Sequence, residues 1–122
     1  MNLLPIAVNL AIIGLSTASY AGSNAPTGES VFNKCVICHS TSPGDNSVGP
    51  TLFGIVGRRS GSVPGYSYSE AMKAANKTWD EAALETYVKD PKATVPGTNM
   101  AFQGLPNDKD RAKLIAYLAT LK

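Results

Sequence analysis

With 122 residues, 43 % of them hydrophobic and 16 % charged, the chain has material for one small globular domain with a modest core. Eleven Lys and Arg against nine Asp and Glu give a formal net charge of +2, too weak a basic balance for a nucleic-acid-binding face. No internal repeat divides it, and the only linker-like piece is Gly22-Ser23-Asn24-Ala25-Pro26.

From Leu3 to Ala18 the chain is mainly apolar and uncharged, and Ser19-Tyr20-Ala21 offers a small-x-small cleavage site before Gly22. Residues 1–21 therefore read as a signal peptide, although Lys and Arg are absent from its start and Pro5 and Asn9 interrupt the apolar run. An uncleaved membrane anchor is the competing reading; the stretch falls short of the ~20 apolar residues that a span needs. Cleavage would leave about 101 residues, with 22–26 a short linker and 27–122 the folded domain. No charged residue precedes Glu29, so the net charge belongs to that domain.

Thr27 is placed to cap a first helix, with Glu29 in its opening turn and Val31, Phe32 and Cys35 on one face, so this helix is expected to run into Cys35-Val36-Ile37-Cys38-His39. Residues 40–64 are rich in Gly, Ser and Pro without periodicity and predict an ordered loop. A short helix is expected from Ser69 to Asn76, and another from Asp80 to Lys89 with Leu84, Tyr87 and Val88 inward, ended by Pro91. Asn107 caps a last helix whose Leu114, Ile115, Leu118 and Leu121 form an apolar stripe. Strand signals are nearly absent, so the fold class is all-α. So long an irregular stretch in so small a domain calls for a large buried cofactor to pack against.

The pentapeptide Cys35-Val36-Ile37-Cys38-His39 holds the only Cys and His residues of the chain. Two thiols one helical turn apart, followed at once by an imidazole, suit the attachment of a c-type haem by two thioethers with the histidine on its iron. Three other readings compete. A thioredoxin-like pair would follow a buried strand, and no apolar strand precedes Cys35. A structural zinc needs a fourth protein ligand. A disulfide closing so small a ring stabilises little by the chain-entropy account. If His39 takes one axial position of an iron, the other falls to water, a lysine or a thioether. Met1 leaves with the leader and Met72 sits in a helical stretch where packing is the default. Met100 follows Val95-Pro96-Gly97-Thr98-Asn99, which can be neither regular helix nor strand and can hold a side chain rigidly inward. Met100 is therefore the expected second ligand, a soft sulfur that favours ferrous iron.

In order along the chain, the pentapeptide is followed by Gly49-Pro50-Thr51-Leu52, Gly57-Arg58, Pro64-Gly65-Tyr66-Ser67-Tyr68, Trp79, Tyr87, Pro91, Pro96-Gly97-Thr98-Asn99-Met100-Ala101-Phe102 and Leu114-Ile115-Ala116-Tyr117-Leu118. With these the sequence resembles class I cytochromes c, of the bacterial, cytochrome c2-like type closest to mitochondrial cytochrome c, over essentially all of its mature length. The resemblance implies helices and ordered loops wrapped around one haem c joined through Cys35 and Cys38. It implies a soluble, monomeric one-electron carrier of the periplasm, without a small-molecule substrate, that shuttles between redox proteins such as cytochrome reductases, oxidases or reaction-centre complexes. Within it Pro50 would accept a hydrogen bond from His39; Tyr68 and Trp79 would donate to a haem propionate, with Arg58 as the nearby cation; Tyr87 and Thr98 would flank the methionine sulfur; and Phe102 would shield the haem face. The alternative class is a peroxidase-like haem enzyme or a ligand sensor with a labile axial position, against which Met100 and the lack of a distal His argue.

The departures from the pattern also carry expectations. Met72 stands where an Asn is usual, which puts a polar, water-holding arrangement near Tyr87 and Thr98 in question. Asn99 and Pro106-Asn107 replace lysines of mitochondrial relatives, so the basic docking ring should be thin, with Lys34 and Lys92 its remnants.

Overall fold

Five helices and one pair of two-residue strands organise residues 26–122, the part that the computed structural model describes. The expected signal peptide over 1–21, and the expected linker apart from Pro26, lie outside the described residues.

Helix α1 (Gly28–Phe32) is capped as its sequence predicts, the Thr27 hydroxyl accepting from the Ser30 amide at 3.1 Å, and it buries Val31 and Phe32. It stops before the pentapeptide instead of running through it. Beyond Phe32 the bonding tightens to three-residue turns, Lys34 N to Val31 O and Cys35 N to Phe32 O, and the β-branched pair Val36-Ile37 does nothing to restore helix.

The long loop is ordered, as expected, but its far end carries pairing that left no trace in the sequence. Strand β1 (Arg58–Arg59) lies antiparallel to β2 (Thr78–Trp79) with Arg58 opposite Trp79, and Ser60 N donates to Lys77 O at 2.8 Å just beyond. Two residues are too few for an alternating pattern to show. Between the strands α2 (Glu70–Ala74) is capped by Ser69 and is shorter than the expected 69–76. Asn76 adopts φ 51°, a left-handed conformation that ends a helix.

Helix α3 (Glu81–Lys89) is capped by Asp80, buries Leu84 and Tyr87, and leaves Val88 half-buried. Asp90 closes it and at once caps α4 (Pro91–Thr94), in which Pro91 takes the first helical position. The proline that ends one helix thus starts the next, because a missing N–H costs nothing there. Helix α5 (Asp108–Leu118), capped by Asn107, buries Leu114, Ile115 and Leu118; Leu121 lies past its end, half-buried against the core.

The first and last helices cross at close range. A Cβ on Gly28 would overlap the Lys113 carbonyl and stand 2.8 Å from Tyr117 Cβ, and the Phe32 and Tyr117 rings meet at 5.2 Å. Helix α3 packs on α5 and on β2, where the rings of buried Trp79 and Tyr87 lie 4.9 Å apart. At about 1.5–3 kcal/mol for each fully buried large apolar side chain, this core is modest, and its centre is a cavity.

Candidate cofactor site

A cavity of about 530 Å³ opens between the turns of residues 34–39, the loop after them, α2, α3, the segment 98–102 and α5. Every site residue named from the sequence lies on its wall: Cys35, Cys38, His39, Pro50, Arg58, Tyr68, Trp79, Tyr87, Thr98, Met100 and Phe102. Sequence reading had not assigned the apolar remainder of the wall, which includes Leu52, Ile55, Leu84, Leu114 and Leu118. Its signal was the stripe of α5 and the inward face of α3, read there simply as core. Lys34 reaches the wall, whereas Lys92, exposed on α4, does not.

His39 Nδ1 lies 2.7 Å from the Pro50 carbonyl oxygen. A carbonyl can only accept, so Nδ1 carries the proton and, in the neutral ring, Nε2 keeps its lone pair free. Burial lowers the imidazole pKa, the Pro50 bond opposes that shift, and the Arg58 charge adds to it, which keeps the ring neutral at pH 7. Gly49 makes room for this ring, since a Cβ there would stand 2.7 Å from Nδ1.

Cys35 and Cys38 are both free and half-buried. Burial first, and Cys38 second, push the Cys35 thiol up to about 11. A thioredoxin-type nucleophile needs a lowered pKa, so this environment is the wrong one for that chemistry. Among the described residues no three His, Cys, Asp or Glu side chains gather as a metal-binding group.

Met100 is presented by a turn that the chain makes at Gly97 (φ 89°), where Thr98 N donates to Val95 O at 3.0 Å. The Thr98 hydroxyl oxygen accepts from Met100 N at 3.3 Å and is 2.8 Å from the Tyr87 hydroxyl. Burial raises the Tyr87 pKa, with the Thr98 bond opposing, so the phenol keeps its proton. Despite Met72, which also lines the cavity, the two hydroxyls partner each other directly.

The cavity wall also carries a positive charge. Arg58 Nη1 donates to Thr51 O at 2.7 Å and Nη2 to Phe53 O, while its salt-bridge partners among the described residues are none. Burial lowers its pKa, and the neighbouring Tyr68 works against that. The Tyr68 hydroxyl accepts from Val63 N at 3.0 Å, which leaves its proton available for donation. A half-buried guanidinium without a carboxylate partner, beside a phenol with a proton to give, suits a ligand that brings its own carboxylates. A broad apolar interior, two thiols, a bare imidazole nitrogen, a thioether and such a cation together fit an iron porphyrin with acidic side chains.

The fold and this set of side chains fit a small haem protein. The family model of cytochrome c matches residues 25–122. Cytochrome c2 of Rhodomicrobium vannielii is 47 % identical over 119 residues, which covers 93 % of this chain and 95 % of that protein. Cytochrome c of Euglena viridis is 47 % identical over 100 residues, 81 % of this chain and 98 % of that one. The solved structure of cytochrome cH from Methylobacterium extorquens superposes with a TM-score of 0.73 at 45 % identity, covering 76 % of this chain and 94 % of its own. The chain thus belongs to the cytochrome c family and has the class I fold. It is an electron carrier, not an enzyme, with one haem c joined through Cys35 and Cys38. The haem iron supplies one-electron chemistry between its ferric and ferrous states.

Proposed function

We propose that this cytochrome carries single electrons between redox complexes in the periplasm, with His39 and Met100 as the axial ligands of its iron. The observation that carries the reading is the free Nε2 of His39 on the same cavity wall as the Met100 thioether. Pro50 holds the imidazole in the ligating tautomer and strengthens it as a donor. Arg58, Tyr68 and Trp79 receive the haem carboxylates, the Tyr87–Thr98 pair braces the sulfur, and Phe102 excludes water beside it. The periplasmic setting rests on the leader-like residues 1–21; no helix among the described residues is long and apolar enough to cross a membrane. The test is the absorption spectrum of the purified ferric protein. The weak red band of an iron–thioether bond is expected, and a high-spin spectrum without it would refute the ligand pair.

Met72 gives this reading a second measurable consequence. It lines the cavity from α2 as an apolar side chain, and the polarity of the shell around a metal sets the stability of its charged form. Met72→Asn is expected to stabilise the extra positive charge of ferric iron and lower the midpoint potential modestly. A potential that stays put or rises in voltammetry would count against this role.

The rim predicts how partners are met. Ile37 is 82 % and Val48 71 % exposed at the cavity, Asn99 and Ala101 on its wall are exposed and neutral, and Lys34 is the one lysine among the described residues that line it. Steering by opposite charge is therefore weak, with little for salt to screen over a Debye length of about 8 Å at physiological ionic strength. Electron transfer to an acidic partner should slow only shallowly as salt is added, with Lys34→Glu removing most of the slope and Lys92→Glu less. Flash or stopped-flow kinetics across a salt series measures this. A steep slope, or one that ignores Lys34→Glu, would place docking on another face.

A further inference from the structure

Arg111 has no part in the cavity wall, yet it is among the most enclosed charged groups of the described residues. It lies on the buried face of α5, one turn before Leu114 and Ile115, with its side chain 3 % exposed. Nε donates to Glu85 Oε1 of α3 at 2.6 Å, Nη2 to the Asp108 carboxylate in its own helix, and Nη1 to the Leu105 carbonyl at 2.7 Å. The Glu85 hydrogen bond raises its pKa against the effect of burial, so the charge is permanent. Two carboxylates already more than offset that charge. The third bond, to a neutral carbonyl, ties the core to the segment that carries Met100.

Apart from the packing of Met100 and Phe102 against the core, that segment has few other ties. Among the described residues Ala101, Phe102, Gln103 and Gly104 make no backbone hydrogen bond, and Ala101 and Gln103 are exposed. Its leading end is fixed at Thr98, and its trailing end at Leu105, which is 3 % exposed. Both backbone groups of Leu105 are engaged, the N–H with Val88 O at 2.8 Å and the carbonyl with Arg111. Gly104, at φ 109°, lies so close to the end of α3 that a Cβ would overlap the Lys89 carbonyl. The methionine is therefore suspended between two clamps, and the buried guanidinium is half of the second.

We propose that Arg111 is a positioning residue for the sixth ligand: through Leu105 it holds the 99–104 segment shut and so sets how firmly the Met100 sulfur is kept in the cavity. The proposal rests on the reading of Met100 as that ligand. A planar fork with three acceptors cannot be replaced by a lysine ammonium, so Arg111→Lys should fail to restore what Arg111→Gln loses.

Imidazole titration of the ferric holoprotein tests this, because imidazole binds only when the methionine lets go. Loss of a charge-assisted bond to a buried carbonyl is expected to raise imidazole affinity roughly tenfold or more in Arg111→Gln and Arg111→Lys. Amide hydrogen exchange at Leu105 should quicken in step while that at Leu118 stays as in the parent, a pattern that a general loss of stability does not give. Glu85→Gln, which keeps the guanidinium and loosens its seat, should shift both readouts the same way by less, and it serves if the Arg111 variants do not fold. Unchanged imidazole affinity, or equal quickening at Leu105 and Leu118, overturns the clamp. A parent spectrum lacking the iron–thioether band would instead refute the Met100 assignment, and this proposal with it.

Discussion

Met100→Ala is expected to lower the midpoint potential by a large fraction of the roughly 0.8 V over which axial ligands set haem potentials. Sulfur stabilises ferrous iron, and its loss leaves water or a misplaced side chain in its position, so a high-spin or misligated spectrum should accompany the fall. Met72 supplies the control, because it lies on the same wall with the same chemistry. Its setting differs. Met72 sits in the middle of a short helix whose N-cap, Ser69, bonds its amide, whereas Met100 hangs in an irregular segment braced by the Thr98 hydroxyl. Met72→Ala should keep the iron–sulfur band and a near-parental potential. Voltammetry and spectra of both proteins decide, and a collapse in Met72→Ala with none in Met100→Ala would reverse the ligand assignment.

Gly28→Ala is expected to be the most damaging single methyl addition at the helix crossing. Alanine gains up to about 1 kcal/mol over glycine in helix propensity, and less at the first position of α1. Against that, the new Cβ would meet the Lys113 carbonyl and Tyr117 Cβ, neither the far end of a flexible side chain. Overpacking of this kind costs about 1–3 kcal/mol and sometimes more. The upper end applies where backbone must move, which leaves a net loss of about 2 kcal/mol and a melting temperature lower by roughly 8–16 °C for a domain near 100 residues. Thermal unfolding of the holoprotein followed by circular dichroism measures it. A melting temperature equal to that of the parent would mean that α1 and α5 separate freely.

The parts of this protein that were legible in its sequence are those written in local chemistry. Thr27 and Asn107 cap the helices they announce, and the α5 stripe Leu114, Ile115 and Leu118 is buried. The residues singled out around the cavity share one wall because each was named by its place in a family pattern as well as by its type. What escaped was set by contacts distant in the chain. The β1–β2 pair joins residues some twenty apart over too short a length to pattern either strand. Helix α4 was hidden because Pro91 reads as an ending, and only the Asp90 cap shows it to be a beginning too. Arg111 gave one overlooked signal, a charge in register with the apolar stripe of α5; a permanently charged group there needs partners from elsewhere, and Glu85 and Leu105 supply them.

The crossing of α1 and α5 also fixes when this molecule can close. Gly28 and Lys113 come from opposite ends of the domain, so while a ribosome is still adding residues the first helix has nothing to lie against. Joining ends about 90 residues apart costs roughly 4 kcal/mol of chain entropy, met only once the last helix exists. Until the two ends meet, a polypeptide of this design stays open, with both thiols of the pentapeptide within reach for haem attachment.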